Sequence, residues 1–147
     1  MRIRPYQPSD RAACLAVFHS NTPDFFLPVE EADFTAFLDR MPGPYLVVEE
    51  DDEIVACGGH AVNAVTGVAT LCWGMVARAH QRRGLGRALL RARLANLADH
   101  PEAKVVRLDT SQHSRGFFER EGFVVQQTIQ DGYDPGLDRC KLERILN

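Results

Sequence analysis

The sequence predicts a mixed α/β fold: a single domain in which a mostly antiparallel sheet carries helices on both faces. The chain has 147 residues, of which 45% are hydrophobic and 25% charged, a balance that suits one domain with its own core. Before residue 77, β-branched apolar runs follow one another as in antiparallel hairpins. A strand, a helix and a strand then follow in turn, the order that pairs two strands in parallel.

The predicted elements follow the order βααβββαβαββ. They are strand 3–6, helix 8–19, helix 29–41, strands 45–49, 54–62 and 68–76, helix 84–99, strand 104–109, helix 114–121, and strands 123–130 and 138–145. In the first helix, Pro8-Ser9-Asp10 offers capping side chains, and apolar residues recur at i, i+3 and i+4. The second helix follows Pro28, ends at Pro42-Gly43-Pro44, and presents Phe34 and Leu38 on one face.

Turn residues separate the strands of the N-terminal half. The acidic run 50–53 predicts a hairpin turn between the second and third strands, and 63–67 separates the third from the fourth. Gly58, Gly59 and Gly74 interrupt these strands. Glycine inside a strand indicates a bulge, or the close approach of another backbone or a ligand.

The C-terminal half alternates strands and helices. Two apolar stripes on helix 84–99 predict that it is buried on more than one side. The segment 131–136 is expected to be a loop, and the last strand then directs Cys140 and Leu142 inward. If this last strand lies exposed at the sheet edge, it can pair with a second copy in a homodimer.

No targeting, membrane or metal-binding pattern is present in the sequence. The first six residues contain no apolar stretch, and no window approaches the roughly 18 apolar residues of a membrane span. We therefore expect a cytoplasmic protein. The four cysteines are widely separated, with no CxxC pair and no clustered histidines, which predicts buried free thiols and no metal site. They are Cys14, Cys57, Cys72 and Cys140.

Charge is distributed unevenly along the chain. The overall charge of −3 argues against nucleic acid as a partner, yet residues 1–77 carry −7, residues 78–93 carry +6 and residues 94–147 carry −2. Such a positive block is either a partner site or a solvated helix face. Four of its arginines are placed to face an anion: Arg78, Arg82, Arg83 and Arg87. Arg91 and Arg93 lie further along the helix, where we expect them to be solvated.

The segment 76–87 leads from the end of a strand into the N-terminus of a helix. Helix amides and the helix dipole attract anions there, glycines let a phosphate approach the backbone, and arginine forks suit phosphate oxygens. A Walker loop needs Gly-Lys followed by Ser or Thr, which the segment lacks. A dinucleotide loop needs GxGxxG, but Leu89 occupies the third glycine position, although Asp109 is tolerably placed as the acidic partner.

Two blocks of sequence resemble the GNAT (N-acetyltransferase) superfamily. Gln81-Arg82-Arg83-Gly84-Leu85-Gly86 resembles the family signature Q/R-x-x-G-x-G/A. Downstream, Leu108-Asp109-Thr110-Ser111 and then Phe117-Phe118-Glu119-Arg120-Glu121-Gly122-Phe123 resemble the second block, whose short helix ends in Gly-Phe. The order of elements is also similar to the family's, so the resemblance covers nearly the whole chain.

This resemblance implies a GNAT-like acetyltransferase domain over residues 1–147 that binds acetyl-CoA, as a co-substrate, between splayed fourth and fifth strands. The pyrophosphate would be held by amides from Arg82 to Arg87, and the N–H of Val76 would polarise the thioester carbonyl. The pantetheine arm would pair with the backbone around Val76. The implied cofactor-binding residues are Met75, Val76, Ala77, Gln81, Arg82, Arg83, Gly84, Leu85, Gly86, Arg87, Ser111 and Phe118.

The acid that protonates the leaving thiolate is not evident from the sequence. In the family it is often a tyrosine four residues before the Gly of the Gly-Phe pair, but Phe118 occupies that position, and Ser111 stands where many members carry asparagine. Either solvent protonates the thiolate or another group does. Tyr133, in the loop before the last strand, is the first candidate, with packing on the sheet edge as its structural alternative. His113 and Ser114 are weaker candidates.

The sequence does not identify a general base. Each candidate has a structural interpretation that does not involve catalysis. It is helix capping for Glu30 and Glu31, core packing for His60 and Trp73, and solvated charge for Glu49 and Glu50. Trp73 has a second interpretation, in which it shapes the acceptor slot. His80 is expected near the phosphates of the cofactor.

The predicted function is transfer of an acetyl group from acetyl-CoA to an amine of a small molecule or peptide, directly within a ternary complex. The acidic N-terminal part favours a cationic amine. Two alternatives stay open: a non-catalytic acyl-CoA-binding regulatory module, and a nucleotide-binding enzyme of Rossmann type. The sequence leaves open the identity of the amine and the length of the acyl group.

Overall fold

The structure, a computed structural model, describes residues 1–146. The strands and helices are β1 (Arg2–Pro5), α1 (Arg11–Ser20), α2 (Glu31–Asp39), β2 (Tyr45–Glu50), β3 (Glu53–Asn63), β4 (Val68–Val76), α3 (Leu85–Leu97), β5 (Val105–Thr110), α4 (Gln112–Arg120), β6 (Val124–Asp134) and β7 (Leu137–Ile145). Short 3-10 turns precede α1 and α2, and another lies between β4 and α3. The predicted order of elements is confirmed.

The strands follow the hydrogen-bonded order β1-β2-β3-β4-β5-β7-β6. The pair β4–β5 is parallel, and the pairs β1–β2, β2–β3, β5–β7 and β7–β6 are antiparallel. The predicted mixed sheet is therefore confirmed. An all-parallel dinucleotide-binding sheet is not formed, which counts against the Rossmann alternative.

The chain forms two compact units. The first comprises residues 1–61 and 71–99, and the second comprises 62–70 and the residues from His100 onward. The strand β4 contributes to both, because its first three residues belong to the second unit and its remainder to the first. Its parallel ladder with β5 covers those three residues, Val68–Thr70.

Helices cover both faces of the sheet in the first unit. Successive residues of β2 point to opposite faces, so Val47 packs with Phe18 of α1 and Phe34 of α2, whereas its neighbour Val48 packs with Leu89 of α3. The face under α1 and α2 is rich in aromatic rings. The apolar cluster that contains Val48 and Leu89 holds α3 against one face of the sheet, with the N-terminus of α3 following the end of β4 in the chain.

The second unit corrects two expectations. The last strand, β7, lies between β5 and β6, so the strand at the sheet edge is β6, and the predicted route to a homodimer through an exposed last strand is wrong. The predicted loop 131–136 is confirmed only as a turn at residues 135–136, because β6 continues to Asp134 through a register shift. Asp131, at φ +55°, makes the bulge, and its carboxylate accepts the N–H of Gly136 at 2.7 Å. The inward positions of Cys140 and Leu142 are confirmed.

The predicted free thiols are confirmed: Cys14, Cys57 and Cys140 are buried and Cys72 is half-buried, none of them in a disulfide. Within residues 1–146, no helix is both long and apolar enough to span a membrane. Over the same residues, no cluster of three or more His, Cys, Asp or Glu side chains is arranged to hold a metal ion.

An ion-pair network joins β1 to α1 and β2. Arg4 donates to both carboxylate oxygens of Asp10, at 2.8 and 2.9 Å, and to Glu49 at 2.7 Å. The hydrogen bonds from Arg4 hold the pKa of Asp10 below its usual value. Because the folded-state pKa is the lower one, the stabilisation is present above the unfolded-state pKa of about 4 and is lost as pH falls through the folded-state value.

We expect Asp10→Asn to lower the free energy of unfolding near neutral pH by about 1–3 kcal/mol, because charge-assisted hydrogen bonds to Arg4 are lost. It should also flatten the decline of stability at acid pH. Denaturant titrations from neutral pH down to about pH 3 measure both effects. Asp52→Asn, an exposed acid on the β2–β3 turn, is the matched control. An acid slope unchanged by Asp10→Asn would contradict the assignment.

Candidate functional site

The loop between β4 and α3 has the backbone geometry of an anion-binding site. Arg82 has φ +63° and Gly84, the N-cap of α3, has φ +82°. Positive and negative φ values thus alternate, the pattern that gathers successive amides into a concave nest. Within residues 1–146, no side chain caps the helix, and a Cβ at Gly84 would meet no atom within 4 Å. The first-turn amides of α3 therefore have no capping side chain among residues 1–146, at the positive end of the helix dipole.

The predicted residues of this loop divide into exposed positions and positions that support the fold. Arg82, Arg83, Gly84 and Arg87 are exposed, whereas Leu85 is only 4% exposed and packs α3 against the sheet. The loop can therefore present its amides to a ligand while the side chain of Leu85 holds the helix in place.

Two of the arginines are already engaged by acidic side chains. Arg78 pairs with Asp24 at 2.6 Å, and Arg83 lies 3.2 Å from Glu50. The expectation of solvated charge is therefore wrong for Glu50. It is also wrong for Glu49, which pairs with Arg4. Both carboxylates lie at the end of β2. Arg83 of the loop pairs with one of them, and Arg4 of β1 pairs with the other.

The side chain of Gln81 stabilises the loop between β4 and α3 through two hydrogen bonds. Its amide nitrogen donates to the side-chain oxygen of Asn21 at 2.7 Å and to the carbonyl of Val76 at 3.1 Å. Asn21, 2% exposed at the end of α1, donates to the same carbonyl at 2.9 Å. Nothing in the local sequence pattern around Asn21 points to these long-range contacts.

The amide of Val76 is directed away from β3. The N–H of the next residue, Ala77, donates to Val55 of β3 at 2.8 Å. Since successive residues of a strand turn their N–H groups to opposite edges, the N–H of Val76 points to the other edge. Met75 is buried among the aromatic rings under α1 and α2, so its side chain belongs to the core.

In the second unit, the residues of the predicted second block have structural contacts. Ser111 is 5% exposed and caps α4, accepting the N–H of His113 at 3.2 Å. The Phe118 ring packs at 5.6 Å from Phe123, so the position of the family's usual tyrosine carries no hydroxyl.

Tyr133 lies in β6, contrary to the expected loop position, and its ring faces a cation. The guanidinium carbon of Arg139 is 5.8 Å from the centre of the Tyr133 ring. Arg139 is held in turn by Asp109, with a hydrogen bond of 2.8 Å from its Nε. The arrangement fixes the phenol beside a positive charge.

The remaining candidates have mainly structural positions. Glu30 accepts the N–H of Leu27 at 2.8 Å, the predicted capping role, and Glu31 pairs with His19. His60 is 1% exposed within β3. Trp73 packs against the rings of Phe18, Phe26, Phe34 and Phe37. His80 lies 2.8 Å from Arg83.

Arg93 is the largest departure from expectation. It is 4% exposed, although we expected it to be solvated. A signal was present in the sequence, because Arg93 follows Leu89 by four residues and precedes Leu97 by four, which places it on the buried stripe of α3.

The sequence matches the model of the acetyltransferase (GNAT) family over residues 14–123. No curated protein matches it. Among solved structures, a GNAT-family protein from Desulfovibrio desulfuricans is 24% identical, with TM-score 0.83 and 98% of each chain covered.

Two further solved structures share the fold. The ribosomal-protein-S18-alanine N-acetyltransferase from Escherichia coli is 18% identical, with TM-score 0.83 and coverage of 99% of this chain and 94% of that one. An aminoglycoside 6'-N-acetyltransferase complexed with coenzyme A is 11% identical, with TM-score 0.80 and coverage of 99% and 97%. The family model spans most of the chain and agrees with the fold, so the chain belongs to the GNAT family of acetyltransferases.

Proposed function

We propose that the protein is an acetyl-CoA-dependent N-acetyltransferase in which residues 1–147 act as one catalytic domain. The acetyl group passes directly to an amine of a small molecule or peptide in a ternary complex. The observation that carries the proposal is the loop between β4 and α3, where Arg82 and Gly84 turn the amides of an uncapped helix outward. One of the structural neighbours, the aminoglycoside acetyltransferase, is complexed with coenzyme A.

The pyrophosphate of acetyl-CoA suits this loop for two reasons. A dianion gains hydrogen bonds from the amides between Arg82 and Arg87, and it lies at the positive end of the α3 dipole. The exposed side chain of Arg82, which makes no ion pair within the described residues, adds a charge-assisted contact. Gln81 contributes by shaping the loop, since its own amide is bonded to Asn21 and Val76.

The thioester is polarised by the backbone of β4. The amide of Val76 points to the edge of β4 away from β3, where a thioester carbonyl can accept its hydrogen bond. The backbone of Met75 and Ala77 flanks this amide and would pair with the pantetheine arm. Attack by a neutral amine then forms a tetrahedral intermediate whose oxyanion this donor stabilises. Ser111 and Phe118 complete the proposed cofactor-binding set.

We assign the proton for the leaving thiolate to Tyr133. The guanidinium of Arg139 lies 5.8 Å from the centre of the Tyr133 ring, a cation–π contact that restrains the orientation of this side chain. Tyr133→Phe should lower the rate of transfer by about a hundredfold with little change in the dissociation constant of acetyl-CoA. Steady-state kinetics and calorimetric titration measure the two quantities. Tyr6→Phe is the control, and unchanged turnover in Tyr133→Phe would remove the assignment.

The experiment that tests the function measures release of the CoA thiol from acetyl-CoA across a panel of amines of different charge. Thiol release that depends on an amine is expected. The −7 charge of residues 1–77 favours cationic acceptors, and equal turnover of neutral and cationic amines would remove that argument. Thermal stabilisation by acetyl-CoA with no thiol release from any amine would favour the non-catalytic regulatory module.

Four free thiols suit a reducing compartment, so we place the enzyme in the cytoplasm. The same assay, repeated with longer acyl-CoA donors, compares them with acetyl-CoA. Measuring sedimentation with and without acetyl-CoA tests for a homodimer.

A further inference from the structure

A positively charged side chain is buried in the first unit without a carboxylate. Arg93 is 4% exposed, and none of the ion pairs within residues 1–146 includes it. Its Nη1 donates one hydrogen bond of 3.3 Å to the carbonyl of Gly59, and its Nε has no partner. Burial lowers the pKa of Arg93 to about 10, so the guanidinium stays charged at neutral pH. A buried charge with so few contacts is costly to the fold.

Two glycines make room for this guanidinium. A Cβ on Gly74 would lie 3.0 Å from both Nη1 and Nη2, and a Cβ on Gly58 would lie 3.1 Å from the guanidinium carbon. Both contacts are closer than side chains normally allow. The glycines that interrupt β3 and β4 therefore mark a close approach, as the sequence indicated, and the approaching group is the chain's own Arg93.

The ionisable groups that act on Arg93 are the thiols of Cys72 and Cys57 and the phenol of Tyr45. Burial raises the pKa of Cys72 to about 11 and holds that of Tyr45 well above its usual value. These two groups are therefore neutral near pH 7, and neither supplies a counter-charge. The positive charge of Arg93 is left largely uncompensated in a medium of low polarity, where its field extends further than in water.

At Gly74, only the backbone of one residue separates the Arg93 guanidinium from an accessible surface. The residue is exposed, although the guanidinium lies directly behind it. Gly74 precedes Val76 by two positions on β4, a separation of about 7 Å. In the proposed function the Val76 amide polarises the thioester. The reacting sulfur would therefore lie close to the segment of β4 that packs against Arg93.

We propose that Arg93 stabilises the thiolate of CoA electrostatically, through the bare backbone of Gly74, at the catalytic centre. This rests on the proposed acetyl-CoA site. As the amine nitrogen forms its bond to the acetyl carbon, the carbon–sulfur bond breaks and its electron pair moves to sulfur. Arg93 transfers no proton. It lowers the energy of the thiolate before protonation. Arg93 is thus a positioned charge that acts at a distance from the reacting atoms.

The test titrates the thiol of bound CoA, which needs no knowledge of the acceptor. Thiolate absorbance of the CoA complex is followed against pH, and the complex with dethio-CoA, which lacks the sulfur, subtracts the protein's own thiols. In the wild type the bound thiol should have an acid dissociation constant about tenfold or more above that of free CoA. In Arg93→Met this increase should disappear, and Arg93→Lys should retain part of it.

Arg91→Met is the matched control, since Arg91 lies on the same helix but is exposed. It should leave the thiol titration unchanged. Arg93→Met should be no less stable than the wild type, because methionine fills the space without burying a charge. If the wild type binds CoA and its thiol titrates like free CoA, the proposal is overturned while the proposed function stands. A wild type that binds no CoA would overturn both. Loss of stability in Arg93→Met with an unchanged thiol titration would show that Arg93 is structural.

Discussion

Gly84→Val should weaken CoA binding by about a hundredfold or more while the protein stays folded. The built Cβ of Gly84 points into open space, so valine adds no clash with the chain itself. It does place a branched side chain where the pyrophosphate must approach the amides of α3. Loss of two charge-assisted hydrogen bonds, at about 1.5–3 kcal/mol each, corresponds to at least this change in affinity. Calorimetric titration with CoA measures it.

The chain offers a closely matched control for this substitution. Gly136 has φ +80°, against +82° for Gly84, and a Cβ built on it also meets nothing within 4 Å. Gly136→Val therefore introduces the same backbone strain, roughly 1–2 kcal/mol, outside the anion-binding loop. We expect similar melting temperatures for the two variants and normal CoA affinity for Gly136→Val alone. Normal affinity in Gly84→Val would show that the loop is not the phosphate site.

Phe18→Ala should lower the free energy of unfolding by about 3–5 kcal/mol. Phe18 is fully buried, and its ring lies 5.4 Å from Phe26, 5.5 Å from Phe34 and 6.4 Å from Trp73. Its removal leaves a cavity that these three rings, held on α2, on β4 and on the segment between α1 and α2, are unable to close. Because domains of this size have about 5–15 kcal/mol in total, the melting temperature should fall by roughly 10 °C.

Phe117→Ala is the comparison for this core substitution. Phe117 is half-buried on α4, so its truncation removes less contact and should cost clearly less stability. Denaturant titrations of both variants give the two values directly. Equal losses would mean that the aromatic cluster around Phe18 does not dominate the stability of the protein.

Local patterns predicted the elements because propensity and burial agree along most of the chain. The strand Val68–Val76 was placed with its observed bounds, since its β-branched residues lie between clear turn signals. The turn between β4 and α3 also depends on neighbouring residues, because Gly84 permits the positive φ with which α3 begins. Both features depend on residues that are neighbours in sequence.

Long-range contacts account for what the sequence did not reveal. Arg93 belongs to an apolar stripe by spacing, but its burial depends on glycines more than fifteen positions away on two strands. Tyr133 was placed in a loop because Asp131, Gly132 and Pro135 are turn residues, whereas the bulge at Asp131 absorbs them within a strand. In both cases a tertiary contact determines the environment of the residue, and the neighbouring residues in sequence suggest a different environment.

The bonds that join Gln81, Asn21 and Val76 have a further consequence for ligand binding. A glycine-containing loop that was disordered in the free protein would lose conformational entropy on meeting its ligand, at roughly 1–2 kcal/mol for each residue fixed. Here the Gln81 side chain ties the loop to β4 and to the end of α1. These contacts fix the residue that precedes Arg82 before any ligand binds. A pyrophosphate bound as proposed would meet a preorganised loop, and more of its interaction energy would be retained as affinity.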